Sequence, residues 1–313
     1  MSRAPSEDRS PAALRILVTG ASGFIGRHVV ARLGAAGHEV KVADLNDFPD
    51  RSVHAITGDL CDPQVRERAV TEGTDAIVHL AAATSVLGSI EQPLHVYDTN
   101  VEMTAGLLEL GRARGVGTFV LASTNAVVGD VGASTITEDL PLAPLTPYGA
   151  TKAAAEMLLH GYSGAYGLRT PVVRLTNVYG PGMAHKDSFV PRLLRAAGSG
   201  GGGVEIYGDG EQRRDLVHVA DVAQAFSLAV LDWPTGPVIV GGDRSYTVNE
   251  IAGVARHVTG QPIPGSRVAS KPGEMPAVVV DIARARSLGY APTTSLAEGM
   301  DCAWGDFAPS TRG

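Results

Sequence analysis

A chain of 313 residues with 44% apolar composition is long enough for one large or two smaller domains around a sizeable core. Its formal net charge of -7, with no long basic run, argues against a nucleic-acid-binding surface. No window reaches the ~18 consecutive apolar residues of a membrane span, so a soluble protein is expected.

Residues 1–13 are rich in Ser, Pro and charge, lack the apolar stretch of a signal peptide, and read as a disordered leader. The only cysteines, Cys61 and Cys302, lie far apart and outside any paired motif. They predict neither a disulfide framework nor a metal site, and they fit a reducing cytoplasm.

The first strand, residues 15–19, runs into a turn with glycines at 20, 23 and 26 and then into a helix over 24–36. In a strand–turn–helix of this kind the glycines have separate tasks. Gly20 allows the tight turn, Gly23 lets the backbone approach a pyrophosphate, and Gly26 lets the helix pack closely. The free N–H groups and dipole at the helix start favour phosphate charge. A second strand, 39–44, ends in Asp44, roughly 20 residues after the glycines, where an acid binds a ribose hydroxyl pair. An acid there repels a 2′-phosphate, so NAD is expected over NADP; the bland alternative is a solvated loop carboxylate.

Strands over 53–56, 76–79, 118–123 and 170–175 follow, separated by helices over 63–72, 93–114 and 147–166. This alternation predicts an α/β fold, a Rossmann-type doubly wound parallel sheet whose ligand lies beyond the carboxyl ends of its strands. Asp59 stands at one such end, either as a partner for an adenine amino group or as a turn aspartate. The small residues of Leu80-Ala81-Ala82 at the next would let a dinucleotide lie against the backbone, while His79 reads as a packed strand histidine. Asn100 could tie its helix to these loops. The fifth strand end places Ser123 and Thr124 at the crevice mouth.

Pro147 suits the first turn of the next helix, and Tyr148 and Lys152 then share one helical face. A phenol with an unperturbed pKa of ~10 is too weak a base at neutral pH. A lysine ammonium one turn away lowers it by favouring the phenolate, and the same lysine can hold a nicotinamide ribose. Alone, a tyrosine four before a lysine is a solvated helix face; after the glycine turn and the Ser-Thr strand end it reads as an acid/base pair.

Together, Gly20-Ala-Ser-Gly-Phe-Ile-Gly26, His79-Leu-Ala-Ala82, Thr124 and Tyr148-Gly-Ala-Thr-Lys152 resemble the extended short-chain dehydrogenase/reductases. Arg174-Leu-Thr-Asn177-Val-Tyr-Gly180-Pro-Gly182 and the stretch 204–222 resemble their nucleotide-sugar epimerase/dehydratase branch, of the UDP-glucose 4-epimerase kind. The resemblance implies Tyr148 as acid/base, Lys152 as its partner and Thr124 as the hydroxyl that orients the sugar oxygen. It implies cofactor contacts from Gly20, Ser22, Gly23, Phe24, Ile25, Gly26, Asp44, Asp59, Leu60, Leu80, Ala81, Ala82, Asn100, Ala122, Tyr148 and Lys152. Substrate contacts are implied for Thr84, Asn125, Asn177, Val190, Tyr207, Arg214 and Lys271, with Arg214 gripping the diphosphate, a task suited to a planar, permanently charged guanidinium. The expected organisation is an NAD-binding domain over 14–180 with a returning segment at about 216–242, a smaller substrate domain from 181–215 and 243–306, and a tail at 307–313. A homodimer through the helices at 93–114 and 147–166 is also implied.

Three departures bear on the reaction. Dehydratases of the branch carry an Asp-Glu pair straight after the orienting threonine; here Asn125-Ala126 stand there, which disfavours elimination of water. Lys271 stands where relatives often place arginine, keeping the charge but losing the bidentate fork. Val128 replaces a common tyrosine, with no mechanism attached. Between a helix over 189–197 and a strand at Val204, glycines at 198 and 200–203 suggest a floppy connection. Two further helices, 247–258 and 295–304, open with Thr or Ser caps, the first with a capping-box glutamate at 250, and Asp221 reads as a helix cap. The expected activity is NAD-dependent 4-epimerisation of a nucleotide sugar. A 4-ketoreductase is the alternative within the class, since it needs the same three catalytic groups. A uronic-acid decarboxylase is not selected by any feature, and a non-catalytic NAD sensor or a reductase of apolar ketones stand further off.

Overall fold

The computed structural model describes residues 13–200, 203–269 and 278–308. The leader up to residue 12, part of the glycine connection at 201–202, Lys271 and the end of the tail lie outside the described residues.

Seven parallel strands form the central sheet: β1 (Arg15–Thr19), β2 (Glu39–Asp44), β3 (His54–Thr57), β4 (Ala76–His79), β5 (Thr118–Thr124), β6 (Pro171–Leu175) and, after three strands that pair elsewhere, β10 (Gly236–Val240). Their order is β10-β6-β5-β4-β1-β2-β3. The direction reverses at β1, and the crevice opens beside it, as in doubly wound sheets. Strand alternation sends side chains to opposite faces. Ile16, Val18, Val78 and Val120 join a core with α1 (Phe24–Ala35) and α8 (Val219–Leu231). Leu17, Ile77, Phe119 and Leu121 join a second core with α2 (Pro63–Ala69), α5 (Met103–Ala113) and α6 (Pro147–Tyr166). Burial on both faces explains why these strands read as continuous apolar runs.

The expected helix over 93–114 is not continuous. It divides into α4 (Pro93–Tyr97), a π-helical turn at Asp98–Glu102 and α5, with the short α3 (Val86–Glu91) before it. The π turn brings Asn100 under the loop after β4. Its Oδ1 accepts from Ala83 N (2.8 Å), and its Nδ2 donates to Ala83 O (3.1 Å) and Thr151 Oγ1 (3.1 Å). The expected tie between this helix and the cofactor-side loops is present, and it consumes the side chain. His79 is buried between Thr19 (2.7 Å) and Thr104 (3.0 Å), as its packed-strand reading anticipated.

A third core gathers α7 (Phe189–Gly198), α9 (Val248–Thr259) and α11 (Leu296–Trp304) around Met183, Leu193, Leu194, Ile251 and Met300. The short α10 (Ala283–Ser287) packs instead beside β10. Next to the third core stand two small sheets built from β7 (Asn177–Tyr179), β8 (Val204–Tyr207), β9 (Arg213–His218), β11 (Ser245–Thr247) and β12 (Gly265–Val268), in the orders β11-β9-β7 and β12-β8. Among the described residues no helix is long and apolar enough to cross a membrane. Both expected cap signals are present: Thr247 with Glu250 and Ser295 with Glu298 form capping boxes. Asp221 differs from its reading. His218 caps α8, accepting from Ala220 N at 3.3 Å. The Asp221 carboxylate instead accepts from Thr293 N (3.0 Å) and Thr294 N (3.3 Å), and so holds the approach to α11 against the first turn of α8.

Asp215 joins the central and small sheets. Its carboxylate is buried and accepts from Gly242 N at 3.0 Å, just past β10. Asn177 at the start of β7 donates to its carbonyl at 2.9 Å. Burial raises the Asp215 carboxyl from 3.8 to about 6. A native state that binds the proton more tightly than the unfolded chain loses stability as pH rises between those two values. Asp215→Asn removes this dependence. Relative to wild type, the variant's melting temperature should therefore rise as pH goes from 4 to 6 and the difference should level off above 7, measured by scanning calorimetry. A difference that is flat across that range would contradict the burial argument.

Candidate functional site

A crevice of about 610 Å³ runs along the carboxyl ends of the central strands. Gly20, Ser22, Gly23, Phe24 and Ile25 form its wall at the start of α1, with Asp44, Asp59 and Leu60 from the β2–β3 side. Leu80, Ala81, Ala82 and Thr84 line it after β4, Ala122 and Thr124 from β5, and Tyr148 and Lys152 from α6. Of the residues expected to touch the cofactor, Gly26 and Asn100 alone are missing from this wall. Gly26 sits just behind it, within the turn.

The turn is shaped by close contacts. Gly20 has φ +67°, and a Cβ on it would lie 2.6 Å from Ala81 N. A Cβ on Gly26 would lie 2.2 Å from Gly20 O, so the helix start packs directly against the turn. α1 begins at Gly23 with no side-chain cap, leaving its first N–H groups for a ligand. This cradle, with an acid at the far side, fits a dinucleotide. Asp44 also braces it, accepting from Ser22 N (2.9 Å) and Asn46 N (2.9 Å), while Ser22 Oγ donates to Asn46 O (3.0 Å). Asp59 accepts from Cys61 N at 2.8 Å, the turn-aspartate role, and still reaches the wall.

At the opposite end Thr124 closes β5, and its Oγ1 accepts from Ala126 N at 3.2 Å. Its side chain also bonds the Tyr148 phenol, which favours the phenolate, but burial outweighs this and holds the phenol above its ordinary value. The Lys152 Nζ donates to Ala122 O at 3.0 Å. Burial lowers this ammonium to about 8, and the Glu156 carboxylate opposes the shift. Burial, with the Lys152 charge added, pushes His79 down to about 3, so it is a neutral spacer and not an acid or base at neutral pH.

A smaller cavity of about 250 Å³ shares Val178 and Ser188 with the crevice wall and extends it toward the third core. Asn177, Val190, Tyr207 and Arg214, all expected as substrate contacts, line it together. Arg214 Nη1 donates to Arg213 O at 2.7 Å, while the neighbouring Asp215 carboxylate points to Gly242.

Two expected contacts lie elsewhere. Asn100 is buried beneath the Ala83 loop and is absent from both linings, because its amide is already satisfied by backbone and Thr151. Asn125 is buried behind Thr124 and lines neither cavity; its amide has no hydrogen-bond partner among the described residues. Lys271 lies outside the described residues. Arg27, His185 and Lys186 in the crevice, and Arg192, Glu205 and Gln212 in the cavity, were not anticipated. Arg27 could have been found as the cation directly after the glycine turn. Lys186 carries no such signal, because the loop after β7 has no periodicity and only its folding brings it over the crevice. Arg192 lies on α7, whose helical pattern was legible, but that pattern does not say what its cationic side chain meets.

Residues 16–240 match the family model described as the NAD dependent epimerase/dehydratase family. Among curated relatives, a dTDP-glucose 4,6-dehydratase of Streptomyces niveus is 34% identical over 92% of this chain and 90% of its own. A UDP-glucose 4-epimerase of Streptomyces lividans is 33% identical over 93% of this chain and 95% of its own. Among solved structures, the UDP-glucose 4-epimerase of Thermus thermophilus in complex with NAD superposes with a TM-score of 0.85 at 32% identity, covering 94% of this chain and 99% of that one. The match over residues 16–240, which span the central sheet, and relatives above 30% identity along nearly the whole chain make this chain a member of the NAD-dependent epimerase/dehydratase family.

Proposed function

We propose that the protein is an NAD-dependent 4-epimerase of a nucleotide sugar, a UDP- or dTDP-hexose. One observation supports the choice within the family. Among the described residues the acids lining the crevice are Asp44 and Asp59, both on the β2–β3 side, and no carboxylate lines the wall around Tyr148 and Thr124. Elimination of water at neighbouring carbons calls for a carboxylate beside the orienting threonine, and Asn125-Ala126 supply none. What remains is a phenol, a hydroxyl and an ammonium, a set that moves one proton at one sugar oxygen.

In this reading Tyr148 takes the proton from the C4 hydroxyl, Thr124 holds that oxygen by hydrogen bonding, and the Lys152 ammonium stabilises the phenolate. NAD held in the crevice would supply the hydride acceptor and donor at C4 that this chemistry needs. Arg214 holds the diphosphate in the smaller cavity with Tyr207 and Asn177 beside it, so that the sugar can turn while the nucleotide stays fixed. The backbone N–H groups at the start of α1 take the pyrophosphate of NAD, Asp44 its adenosine ribose, and Lys152 its nicotinamide ribose. Residues 14–180 with 216–242 form the cofactor half and 181–215 with 243–306 the substrate half, with α10 returning to pack beside β10 of the first. A cytoplasmic setting fits the two unpaired cysteines.

The same reading includes a homodimer through the segment 93–114, which holds α4 and α5, and through α6. Leu87, Leu94, Met157 and Tyr166 are more than half exposed on α3, α4 and α6, elements that pack side by side. Large apolar side chains exposed on neighbouring elements are ordinarily covered by a partner when they form one patch.

Three measurements test these statements. Incubated with UDP- or dTDP-hexoses and no added cofactor, the protein should produce the C4 isomer, identified by proton NMR. Tyr148→Phe should lower kcat by roughly 10²–10⁴-fold, the range of general acid–base catalysis, while retaining bound NAD; near-wild-type turnover would refute the assignment of the phenol. By light scattering after gel filtration the wild type should be a dimer and Leu94→Glu a monomer, whereas a monomeric wild type would remove the dimer.

A further inference from the structure

Beneath the reacting end of the crevice lies a buried ion pair that proton transfer at Tyr148 does not itself use. Glu156 and Arg174 are exposed by only 7% and 4% of their side chains. Arg174 Nη2 donates to Glu156 Oε2 at 2.7 Å, and its Nε lies within 3.1 Å of Oε1 and 3.2 Å of Oε2. The Ser123 hydroxyl donates to the same Oε1. The carboxylate therefore bonds β6 through Arg174 and the end of β5 through Ser123, the residue between Ala122, whose carbonyl holds Lys152, and Thr124. On α6, Tyr148, Lys152 and Glu156 follow one another at one-turn spacing and share a face.

Stability alone does not account for such a pair. Desolvating two charges is costly, and an apolar pair of similar volume is commonly as stable or more so. The position of the pair suggests what else it does. We propose that Glu156 is a positioning residue for the hydride-shuttling site: clamped by Arg174, its carboxylate fixes the β5 end that carries Thr124 and provides the counter-charge for Lys152. This rests on the epimerase reading for its chemistry and goes beyond it in assigning a task to a group that does not touch substrate.

The groups facing Lys152 among the described residues are few. Glu156 and Tyr148 lie on its own helix, His79 on β4 is neutral, and Arg174 on β6 is engaged with Glu156. The other charged groups and histidines on α6 and on the helical elements packed against it, namely His160, Glu91, His95, Asp98, Glu102, Glu109 and Arg112, are exposed to solvent, as are Tyr97 and Tyr166, while the half-buried Tyr162 donates to Glu109. Glu156 is thus the buried negative charge available to favour the ammonium, in the direction already seen for Lys152.

The test compares Glu156→Gln, which keeps shape and an acceptor for Ser123, with the double variant Glu156→Leu/Arg174→Met, which removes both charges. In Glu156→Gln the alkaline limb of the kcat–pH profile should move to lower pH by about one unit or more, with little change in KM for the sugar nucleotide. The double variant should recover thermal stability and leave the limb displaced. Recovery of both stability and the pH profile in the double variant would show a structural pair only and overturn the proposal. A second readout is independent of the reaction. The Lys152 ε-carbon of ¹³C-lysine-labelled protein should titrate lower in Glu156→Gln than in wild type, where it is expected at about 8. An unchanged titration overturns the proposal whether or not any sugar is turned over, and an inactive wild type with a displaced titration counts against the epimerase reading alone.

Discussion

Where α1 leaves the turn after β1, the chain passes so close to itself that one methyl group at position 26 would lie 2.2 Å from the carbonyl of Gly20. That approach sets the position of the first helical N–H groups, and with them the floor of the crevice. Gly20 in turn lies against the Ala81 backbone, with φ at +67° and no room for a side chain. The cofactor wall is therefore three backbone segments in contact, after β1, at the start of α1 and after β4. Side chains on the outer side, Asp44 and Ser22, brace this arrangement through hydrogen bonds to main-chain groups. A site made of backbone in this way depends on close packing of the sheet beneath it, which the alternating core residues of β1, β4 and β5 provide.

The reacting end obeys a different logic. Here side chains from a strand end and a helix face must meet, and their charges must be balanced in a buried setting. α6 solves this with one stripe. Its first turn carries the phenol, the next the ammonium, and the third the carboxylate that Arg174 holds from β6. Burial works against the charged form of both Tyr148 and Lys152. Each then depends on a neighbour: the phenol on Thr124, the ammonium on Glu156 and the Ala122 carbonyl. In the proposed epimerase, acid–base chemistry at this end would belong to the stripe and the strand it leans on, not to one residue.

Between the two ends the sheet order acts as insulation. Asp44 and Asp59 belong to β2 and the end of β3, on the other side of β1 from β5, so their charges are kept away from Tyr148. The second cavity then extends the crevice away from the cofactor wall, and Arg214 reaches it because β9 runs beside β7. The acids of the crevice thus sit on the β2–β3 side, the wall around Tyr148 carries none among the described residues, and Arg214 lines the adjoining cavity.

Much of this was legible in the amino-acid sequence, because strong local signals govern it. The glycine turn, the strands of the central sheet and the Tyr148–Lys152 face depend on spacing within one or two elements, and periodicity and turn chemistry report such spacing directly. The capping boxes at Thr247 and Ser295 were legible for the same reason. Elsewhere the local signal pointed the wrong way or was silent. The segment over 93–114 has a helical pattern, but a π turn interrupts it at Asp98–Glu102, and Asn100 within that turn bonds the Ala83 loop. Asp221 has the composition of a cap, yet its carboxylate finds Thr293 across the fold. The convergence of Asn177, Val190, Tyr207 and Arg214 on one cavity, the burial of Asn125 away from it, and the clamp of Glu156 by Arg174 were decided by tertiary structure alone. Each depends on contacts between elements far apart in the chain, and no pattern within a single element encodes which distant backbone or charge a side chain will meet.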